Sequence, residues 1–363
     1  MKKQTISTEQ NAFCPGKHNT QFDLPMTIMQ QNLQIRETQE ANFRLLHLFS
    51  LYINERPDFI TADMVNEIAG IGGFSTDEAF LMLFAEACGV HPTDGEADEA
   101  FFRDYLAPSV RRLDPEPYRA DPYYQNIRFP DITDGSWELR NDVYQPYRTF
   151  IWDDVRPDAS LKELPPLGYF AEAFTYPAVL ENGTEWMLVT PNEIETVRPA
   201  VRAARGQTVT FGLGLGYFAY MASAKPDVER VVIVEKDPAV IRLFRQHILP
   251  QFPHREKIEL VNDDAFEYLE KRMPKEHFDL AYADIWHDAG DGIPLYLRFN
   301  KYEERFPETE FQYWIEESML SYLRWYDFDR MGADVRDPYR WLSNTATKKR
   351  ALDLTPEMWL NRE

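Results

Sequence analysis

The chain has 363 residues and carries 60 acidic against 39 basic side chains, which gives a formal net charge of −21. This length suits two domains of ordinary size, and a content of 44% hydrophobic residues can fill their cores. The excess of acid argues against a nucleic-acid partner, because nucleic-acid binding uses clustered Lys and Arg to neutralise phosphates. No run of about twenty apolar residues predicts a membrane span, so we expect no membrane partner.

The expected compartment is the cytoplasm. The first residues include lysines but no apolar segment, which does not fit a secretory signal. The two cysteines, Cys14 and Cys88, make neither a disulfide framework nor a zinc site. Cys88 falls on an apolar helix face and is interpreted as a small core residue.

The first third of the chain predicts a helical domain. Residues 1–34 are polar without periodicity, so we expect a loosely ordered N-terminus. Residues 35–113 then carry helical patterns. Thr61 is placed to cap one helix, and the capping box formed by Ser75 and Glu78 begins another that Gly89 ends.

Residues 114–166 are rich in Pro and Tyr and show little regular periodicity, which predicts a covering arm. Its tyrosines can line a pocket or pack the arm onto a neighbouring domain, and both readings stay open. Residues 167–206 then predict a β-hairpin around Asn182-Gly183, the strongest short hairpin signal, followed by a lead-in helix.

A glycine-rich turn follows the next predicted strand. Thr208–Phe211 reads as a buried strand, and Gly212, Gly214 and Gly216 follow it at alternate positions before a helix pattern. Such a turn lets a ligand approach bare backbone. The dinucleotide fingerprint requires a glycine where this chain has Tyr217, so the spacing argues against that class.

Three more predicted strands each end in acids. They run to Glu235, to Asp263 and Asp264, and to Asp284. The carboxyl ends of parallel strands meet at one edge of a sheet, where open α/β sheets bind ligands. Glu235 and Asp264 also fit ordinary acids at helix N-termini, and that alternative stays open.

Together the G-x-G-x-G spacing and these acids resemble the class I, Rossmann-like methyltransferases that use S-adenosylmethionine, over residues 207–315. The resemblance implies an α/β fold with a mainly parallel, doubly wound sheet in residues 207–325, although the last two strands of a seven-stranded sheet are not visible. Residues 326–363 read as a polar, irregular C-terminal tail.

The resemblance also implies S-adenosylmethionine as cofactor. Glu235 would hold the ribose, Asp264 with Ala265 the adenine, and Asp284 would face the methionyl ammonium or the acceptor. The implied cofactor-binding set is Gly212, Leu213, Gly214, Gly216, Glu235, Lys236, Asp263, Asp264, Ala265 and Asp284.

The hairpin adds a second resemblance. Glu185-Trp-Met-Leu188 is similar to the strand that precedes the nucleotide domain of polyamine synthases. Those enzymes carry Gly-Asp-Gly in the first loop, where this chain has Gly214-Leu-Gly216, and they end their fourth-strand motif in proline, where it has Asp284-Ile-Trp-His-Asp288.

The predicted catalytic residues are Asp284 and His287, with His287 as general base and Asp288 able to orient it. A metal alternative would use Asp284, His287, Asp288 and Asp291 on a flexible loop, although we expect no metal. The leading function is methylation of a small-molecule acceptor. Aminopropyl transfer and a catalytically silent cofactor-binding protein remain as alternatives, and a homodimer is left open.

Overall fold

The structure is a computed structural model that describes residues 27–332 and 335–361. Most of the predicted loose N-terminus (residues 1–26), together with Cys14, lies outside these ranges. The remainder of that prediction is wrong, because the first helix begins at Ile28. Thr27 and Gln30 form a reciprocal capping box there, with the Thr27 N–H 2.9 Å from the Gln30 side-chain oxygen.

Five helices form the predicted helical part of the chain. They are α1 Ile28–Glu55, α2 Ala62–Gly72, α3 Thr76–Ala87, α4 Glu96–Phe101 and α5 Ala107–Ser109, with a π-helical turn Phe102–Leu106 before α5. The caps at Thr61 and at Ser75 with Glu78 are confirmed. Cys88 packs half-buried against the core of these helices, and burial raises the pKa of its thiol to about 12.

Among the described residues, no single helix has the length and apolar character to cross a bilayer, whereas α2 and α3 reach that threshold only as a pair bent by 110°.

Residues 110–188 form two small sheets. Their strands are β1 Val110–Arg112, β2 Ile132–Asp134, β3 Trp137–Tyr144, β4 Thr149–Ile151, β5 Leu167–Tyr169, β6 Phe174–Glu181 and β7 Thr184–Leu188, and their helices are α6 Glu116–Arg119 and α7 Pro122–Asn126. One sheet has the order β1-β5-β4 and the other, which is antiparallel, β2-β3-β6-β7.

Residues 114–166 therefore contain regular strands that their weak sequence periodicity did not predict. β3 pairs with β6 along eight residues, and its Trp137 and Leu139 are buried. Tyrosines also pack this region against the glycine-rich turn, since the Tyr123 hydroxyl donates to the Leu215 carbonyl at 2.6 Å. The hairpin turn is confirmed, with positive φ at Asn182 (52°) and Gly183 (80°), as a type I′ turn requires.

The third sheet is five-stranded and entirely parallel, with the order β10-β9-β8-β11-β12. Its elements are, in chain order, α8 Pro191–Ala203, β8 Gly206–Phe211, α9 Tyr217–Ser223, β9 Val228–Glu235, α10 Pro238–Leu243, β10 Ile258–Asn262, α11 Ala265–Lys271, β11 Leu280–Ala283, α12 Ala289–Glu303 and β12 Glu310–Tyr313.

Both faces of this sheet are covered. Along β9 and β11, alternate residues enter two different cores: Ile233 and Tyr282 face one, and Val234 and Ala283 face the other. A parallel sheet buried on both sides needs such continuous apolar strands. The protein is thus a mixed α/β structure whose large sheet is compatible with a Rossmann-like fold.

The C-terminal part is helical, which corrects the expectation of an irregular tail. It contains α13 Glu316–Asp329, α14 Pro338–Trp341, α15 Asn344–Ala351 and α16 Pro356–Leu360. The fully buried Arg324 on α13 pairs with Glu163 and donates to the Leu342 carbonyl at 3.0 Å. One buried guanidinium thus joins α13 to the segment before β5 and to the end of α14.

Gly212 occupies a position that excludes a side chain. Its φ is +99°, and a Cβ there would collide with the backbone carbonyl oxygen of Asp284. This crowding follows from pairing, because β8 and β11 are neighbours and the Asp284 N–H donates to the Phe211 carbonyl at 2.9 Å.

We predict that Gly212→Ala lowers the free energy of unfolding by about 2–4 kcal/mol, from backbone strain and the collision. Gly70→Ala is the matched control, because it lies within α2 with open space around it, and it should stabilise by about 0.5–1 kcal/mol. Urea denaturation of both variants measures the difference. Equal free energies of unfolding for the two variants would contradict the close approach of Gly212 to the Asp284 carbonyl.

Candidate functional site

A cavity of about 260 Å³ lies at the carboxyl ends of β8, β9, β10 and β11. The predicted general base His287 lines it, and so do nine of the ten residues in the implied cofactor-binding set: Gly212, Leu213, Gly214, Glu235, Lys236, Asp263, Asp264, Ala265 and Asp284. Gly216 is not in its wall. Gly216 precedes α9 with φ 78°, and a Cβ there would meet Phe244. A glycine is therefore required at this position by the turn and its packing, not by the cavity.

Glu235 connects the tip of β9 to the glycine-rich turn. One carboxylate oxygen accepts the Leu213 N–H at 3.2 Å, and the other accepts the Asp237 N–H at 2.8 Å. Burial raises the pKa of Glu235, and these hydrogen bonds only partly oppose that rise. Since each oxygen has a second lone pair, the carboxylate can still accept hydrogen bonds from a ligand that carries two hydroxyl groups.

Asp264 fits both readings left open by the sequence. One of its oxygens caps α11, accepting the N–H groups of Phe266 at 2.9 Å and Glu267 at 3.1 Å. The side chain is also exposed and lines the cavity, so its second oxygen is available to a ligand. Asp263 accepts the Asp264 N–H at 3.0 Å, which holds the two acids in a fixed arrangement.

Asp284, half-buried itself, forms an acidic pair with the buried Glu193 that the sequence did not reveal. Its side chain is enclosed by protein apart from the cavity, and burial followed by the Glu235 carboxylate raises its pKa to about 7. Glu193, in the first turn of α8, is buried nearby. Burial and the charge of Asp284 raise the pKa of Glu193 well above its usual value.

Tyr282 completes this group of polar residues. Its hydroxyl is buried and has no hydrogen-bond partner in the described ranges, and the charges of Asp284 and Glu193 help to raise its pKa. From sequence, Glu193 looks like any acid in the first turn of a helix. Only the packing of α8 beside β11 distinguishes it.

His287 is paired with Asp291 rather than with Asp288. Its Nδ1 lies 3.1 Å from an Asp291 oxygen, and Asp291 also accepts the backbone N–H of Asp288 at 3.0 Å. In the neutral ring this arrangement favours the proton on Nδ1, which leaves Nε2 with a free lone pair. The Trp186 ring packs edge-on against the imidazole, with their centroids 5.0 Å apart.

The predicted orienting role of Asp288 is therefore wrong. Asp288 caps α12, where its carboxylate accepts the N–H groups of Gly290 at 2.6 Å and Asp291 at 3.2 Å. The segment expected to be a flexible loop, residues 290–292, is the first turn of that helix.

The metal alternative also finds no support in the geometry. In residues 27–332 and 335–361, no group of three or more His, Cys, Asp or Glu residues is arranged to hold a metal ion. The suggested set of Asp284, His287, Asp288 and Asp291 is thus not assembled.

A second, larger cavity of about 530 Å³ meets the first at His287, which lines both. Its wall combines residues of β3, β4 and β7 with α1 and α13, including Tyr144, Phe150 and Leu188. Tyr144 comes from the predicted covering arm. Both readings of the arm's tyrosines therefore hold, since Tyr123 packs the arm and Tyr144 lines a pocket.

Comparisons with known proteins add little to this geometry. No protein-family model matches the chain, and no curated protein matches it. Among solved structures, a candidate O-methyltransferase from Klebsiella pneumoniae is similar at 16% sequence identity and a TM-score of 0.28, over 46% of this chain and 70% of that protein. A likeness this slight does not show what the chain does.

We predict that Asp284→Asn changes the pH dependence of stability. The pKa of Asp284 in the folded protein, about 7, exceeds its usual value of 3.8. Between these values the folded protein holds a proton that the unfolded chain releases, so stability is lost as pH rises toward 7. The variant cannot titrate at this position. Its free energy of unfolding relative to that of the parent should therefore rise by about 1–3 kcal/mol between pH 5 and pH 8.

Thermal unfolding at pH 5, 6, 7 and 8 measures this gain. Asp227→Asn, at an exposed position before β9, is the control and should follow the parent chain at every pH. A constant difference between Asp284→Asn and the parent would show that Asp284 does not titrate in this window.

Proposed function

We propose that this protein is an S-adenosylmethionine-dependent methyltransferase that acts on a small molecule. One observation carries the proposal. A single cavity at the carboxyl edge of a parallel sheet combines a glycine-rich turn with acids from three strands of that sheet, and it meets a second cavity at a histidine. Open α/β sheets bind nucleotide-like ligands at this edge.

The residues present fit the cofactor. Gly212 and Gly214 line the cavity with backbone alone, and Met187 packs where a Cβ of Gly214 would lie, so this backbone and the Met187 side chain form the wall that would face the methionyl part. Glu235 can accept both ribose hydroxyls. Asp264 can accept from the adenine amine, and Ala265 begins α11, so its N–H lacks a partner within the helix and can donate to the ring.

The electrostatics fit the positive end of the cofactor. Asp284 opens into the cavity with the buried Glu193 close behind it, and two carboxylates there favour an ammonium group. Because a bound cation favours the ionised acid, binding at pH 6 should release a proton from this pair.

When bound, S-adenosylmethionine would supply an electrophilic methyl group, with its sulfur as the leaving group that takes the bonding electron pair. The task of this chain is to remove a proton from the acceptor. Nε2 of His287 takes the proton of an acceptor O–H or N–H as that atom forms its bond to carbon. Asp291 stabilises the resulting imidazolium through Nδ1, and the Trp186 ring packs edge-on against the imidazole.

The acceptor is a small molecule in this proposal. The second cavity, at about 530 Å³, has the size of ordinary small-molecule sites, which is about 300–1,000 Å³. The net charge of −21 is unsuited to a nucleic-acid acceptor.

We predict that Glu235→Gln weakens S-adenosylmethionine binding about ten- to a hundredfold. The amide loses hydrogen bonds to a charged group, worth about 1.5–3 kcal/mol, and each 1.4 kcal/mol is tenfold in affinity. Isothermal titration of the full chain measures it. Glu229→Gln is the matched control, at an exposed position of the same strand, and should bind as the parent does. A parent chain that does not bind S-adenosylmethionine would refute the proposed function.

We also predict that His287→Gln lowers kcat by about a hundredfold or more, as expected for loss of a general base, without changing cofactor affinity. Asp291→Asn should lower kcat by about tenfold, because the imidazolium loses its carboxylate. Asp288→Asn is the control, since asparagine keeps the helix cap and Asp288 does not contact the ring. Methyl transfer from labelled cofactor to a panel of amines and alcohols is the assay, and full turnover by His287→Gln would remove His287 from the mechanism.

Aminopropyl transfer is the second candidate function. The pair of Asp284 and Glu193 favours it, because two carboxylates suit a cofactor that carries an ammonium group and lacks the amino-acid carboxylate. Titration with decarboxylated S-adenosylmethionine in parallel decides between the two. Tighter binding of that form, with an aminopropyl product, would replace the methyltransferase proposal, whereas binding without any product would favour a silent cofactor-binding protein.

A further inference from the structure

We propose that the indole ring of Trp186 binds the positively charged sulfur of the cofactor, so that the site holds the sulfonium form more tightly than the neutral thioether that remains after transfer. The inference rests on the proposed function for the identity of the ligand. It adds a binding residue that the implied cofactor-binding set does not contain. Methyl and aminopropyl donors both carry a sulfonium, so the role of Trp186 is the same for either.

Trp186 is the exposed tryptophan of this protein. All eight tryptophans lie in the described ranges, and Trp186 alone among them is exposed, at 37% of its surface. It lies on β7, an edge strand of the four-stranded sheet, and it lines the first cavity next to Met187. An indole placed in a cavity wall instead of a core points to a contact with a ligand.

Neighbouring strands anchor the indole. The buried Trp137 meets it at 89°, with the ring centroids 5.5 Å apart. Trp186 also borders a narrow apolar space together with Leu139 of β3 and Val179 of β6. A side chain held in this way loses little conformational freedom when a ligand binds.

The indole has no cation of the protein over it. Its ring contacts, with Trp137 and His287, are both close to perpendicular, and no ring stacks on it in the described part of the chain. The arginine of the same cavity wall is engaged with another ring, since the Arg298 guanidinium lies 3.6 Å from the centroid of Phe266. Over the same ranges, no Lys or Arg lies over Trp186. Its electron-rich face can therefore take a cation from a ligand.

His287 shows where this ring lies relative to the reacting atoms. His287 lines both cavities, whereas Trp186 lines the first and not the second. The indole is thus on the cofactor side of the imidazole, with their centroids 5.0 Å apart. An acceptor atom bonded to Nε2 lies about 3 Å from it, and the carbon that it attacks about 3–3.5 Å further on. The sulfur that bears this carbon then falls in the part of the cavity that Trp186 and Met187 border.

The chemistry of a sulfonium favours an aromatic partner. It is a cation without an N–H or O–H group, so it offers a carboxylate no ordinary hydrogen bond. Aromatic faces recognise such cations, as they do quaternary ammonium groups, and indole is the best of the aromatic side chains for this purpose. In the proposed site the carboxylates of Asp284 and Glu235 are matched to the ammonium and to the ribose. Trp186 is the group matched to the sulfur.

Selectivity for charge follows from this contact. When the transferred group has left, the sulfur is a neutral thioether, and its attraction to the indole is lost. A cation–aromatic contact of this kind corresponds to about five- to thirtyfold in affinity. The product S-adenosylhomocysteine is therefore held without this contribution, which assists its release.

The test compares S-adenosylmethionine with S-adenosylhomocysteine in isothermal titrations of the full chain. We expect Trp186→Leu to weaken binding of S-adenosylmethionine by about tenfold and to change binding of S-adenosylhomocysteine by less than about twofold. Trp186→Phe keeps an aromatic face and should lose less than Trp186→Leu. Thermal unfolding of both variants checks that they fold. Equal losses for the two ligands, or no loss for S-adenosylmethionine, would overturn the role of Trp186.

Met187→Leu is the matched control. Met187 is the next residue of the same strand and lines the same cavity without an aromatic ring, and leucine conserves its volume. Any loss in this variant should be equal for the two ligands. A loss confined to S-adenosylmethionine would assign the selectivity to the shape of the wall and overturn the role of the indole.

A third ligand separates charge from the size of the methyl group. Sinefungin carries an ammonium group where the cofactor has its methylated sulfur, so its affinity should fall in Trp186→Leu as that of S-adenosylmethionine does. If sinefungin instead behaves as S-adenosylhomocysteine does, packing of the methyl group is the cause and the proposal is overturned.

The proposed function and this inference fail in different ways. A parent chain that binds none of the three ligands would overturn both. Binding of S-adenosylmethionine that Trp186→Leu weakens no more than binding of S-adenosylhomocysteine would overturn the role of Trp186 alone and leave the proposed function standing.

Discussion

The close approach of Gly212 to the carbonyl of Asp284 is the constraint on which the candidate site depends. β8 and β11 are hydrogen-bonded neighbours, so the chain leaving β8 must turn over the end of β11 with no room for a side chain. The same contact brings the acid at the end of β11 under the glycine-rich turn. Glu235 then closes the arrangement from β9, where it accepts the Leu213 N–H. Three neighbouring strands thus hold one another at the edge where the cavity forms.

Several acids at this edge have two tasks. Asp264 caps a helix with one oxygen and offers the other to the cavity, and Glu235 fixes a loop while keeping lone pairs free. A carboxylate has enough acceptor capacity for both tasks. Preorganisation follows, because a group held by backbone donors loses little conformational freedom when a ligand binds. Asp284 is the exception, since burial beside other acids leaves it with a raised pKa and a need for a cation.

His287 marks the boundary between the two cavities, and its partner shows what short-range reasoning misses. Asp288 is adjacent in sequence, yet it turns to the N-terminus of α12, because a helix start needs acceptors for its free N–H groups. Asp291 lies one helical turn further on, which returns its carboxylate to the imidazole. The helix that was expected to be a flexible loop is therefore what orients the histidine.

Elements with local sequence signals were predictable from the chain alone. Caps at Thr61 and Ser75, the Asn182-Gly183 turn, and apolar strands that end in glycines or acids all depend on neighbours a few residues away. Features that depend on contacts between distant segments could not be predicted in this way. β3 is a strand because β6 pairs with it, and Glu193 becomes part of an acidic pair because α8 packs beside β11. The second cavity likewise exists only where α1, β7 and α13 converge, and no periodicity within one segment encodes the space between three.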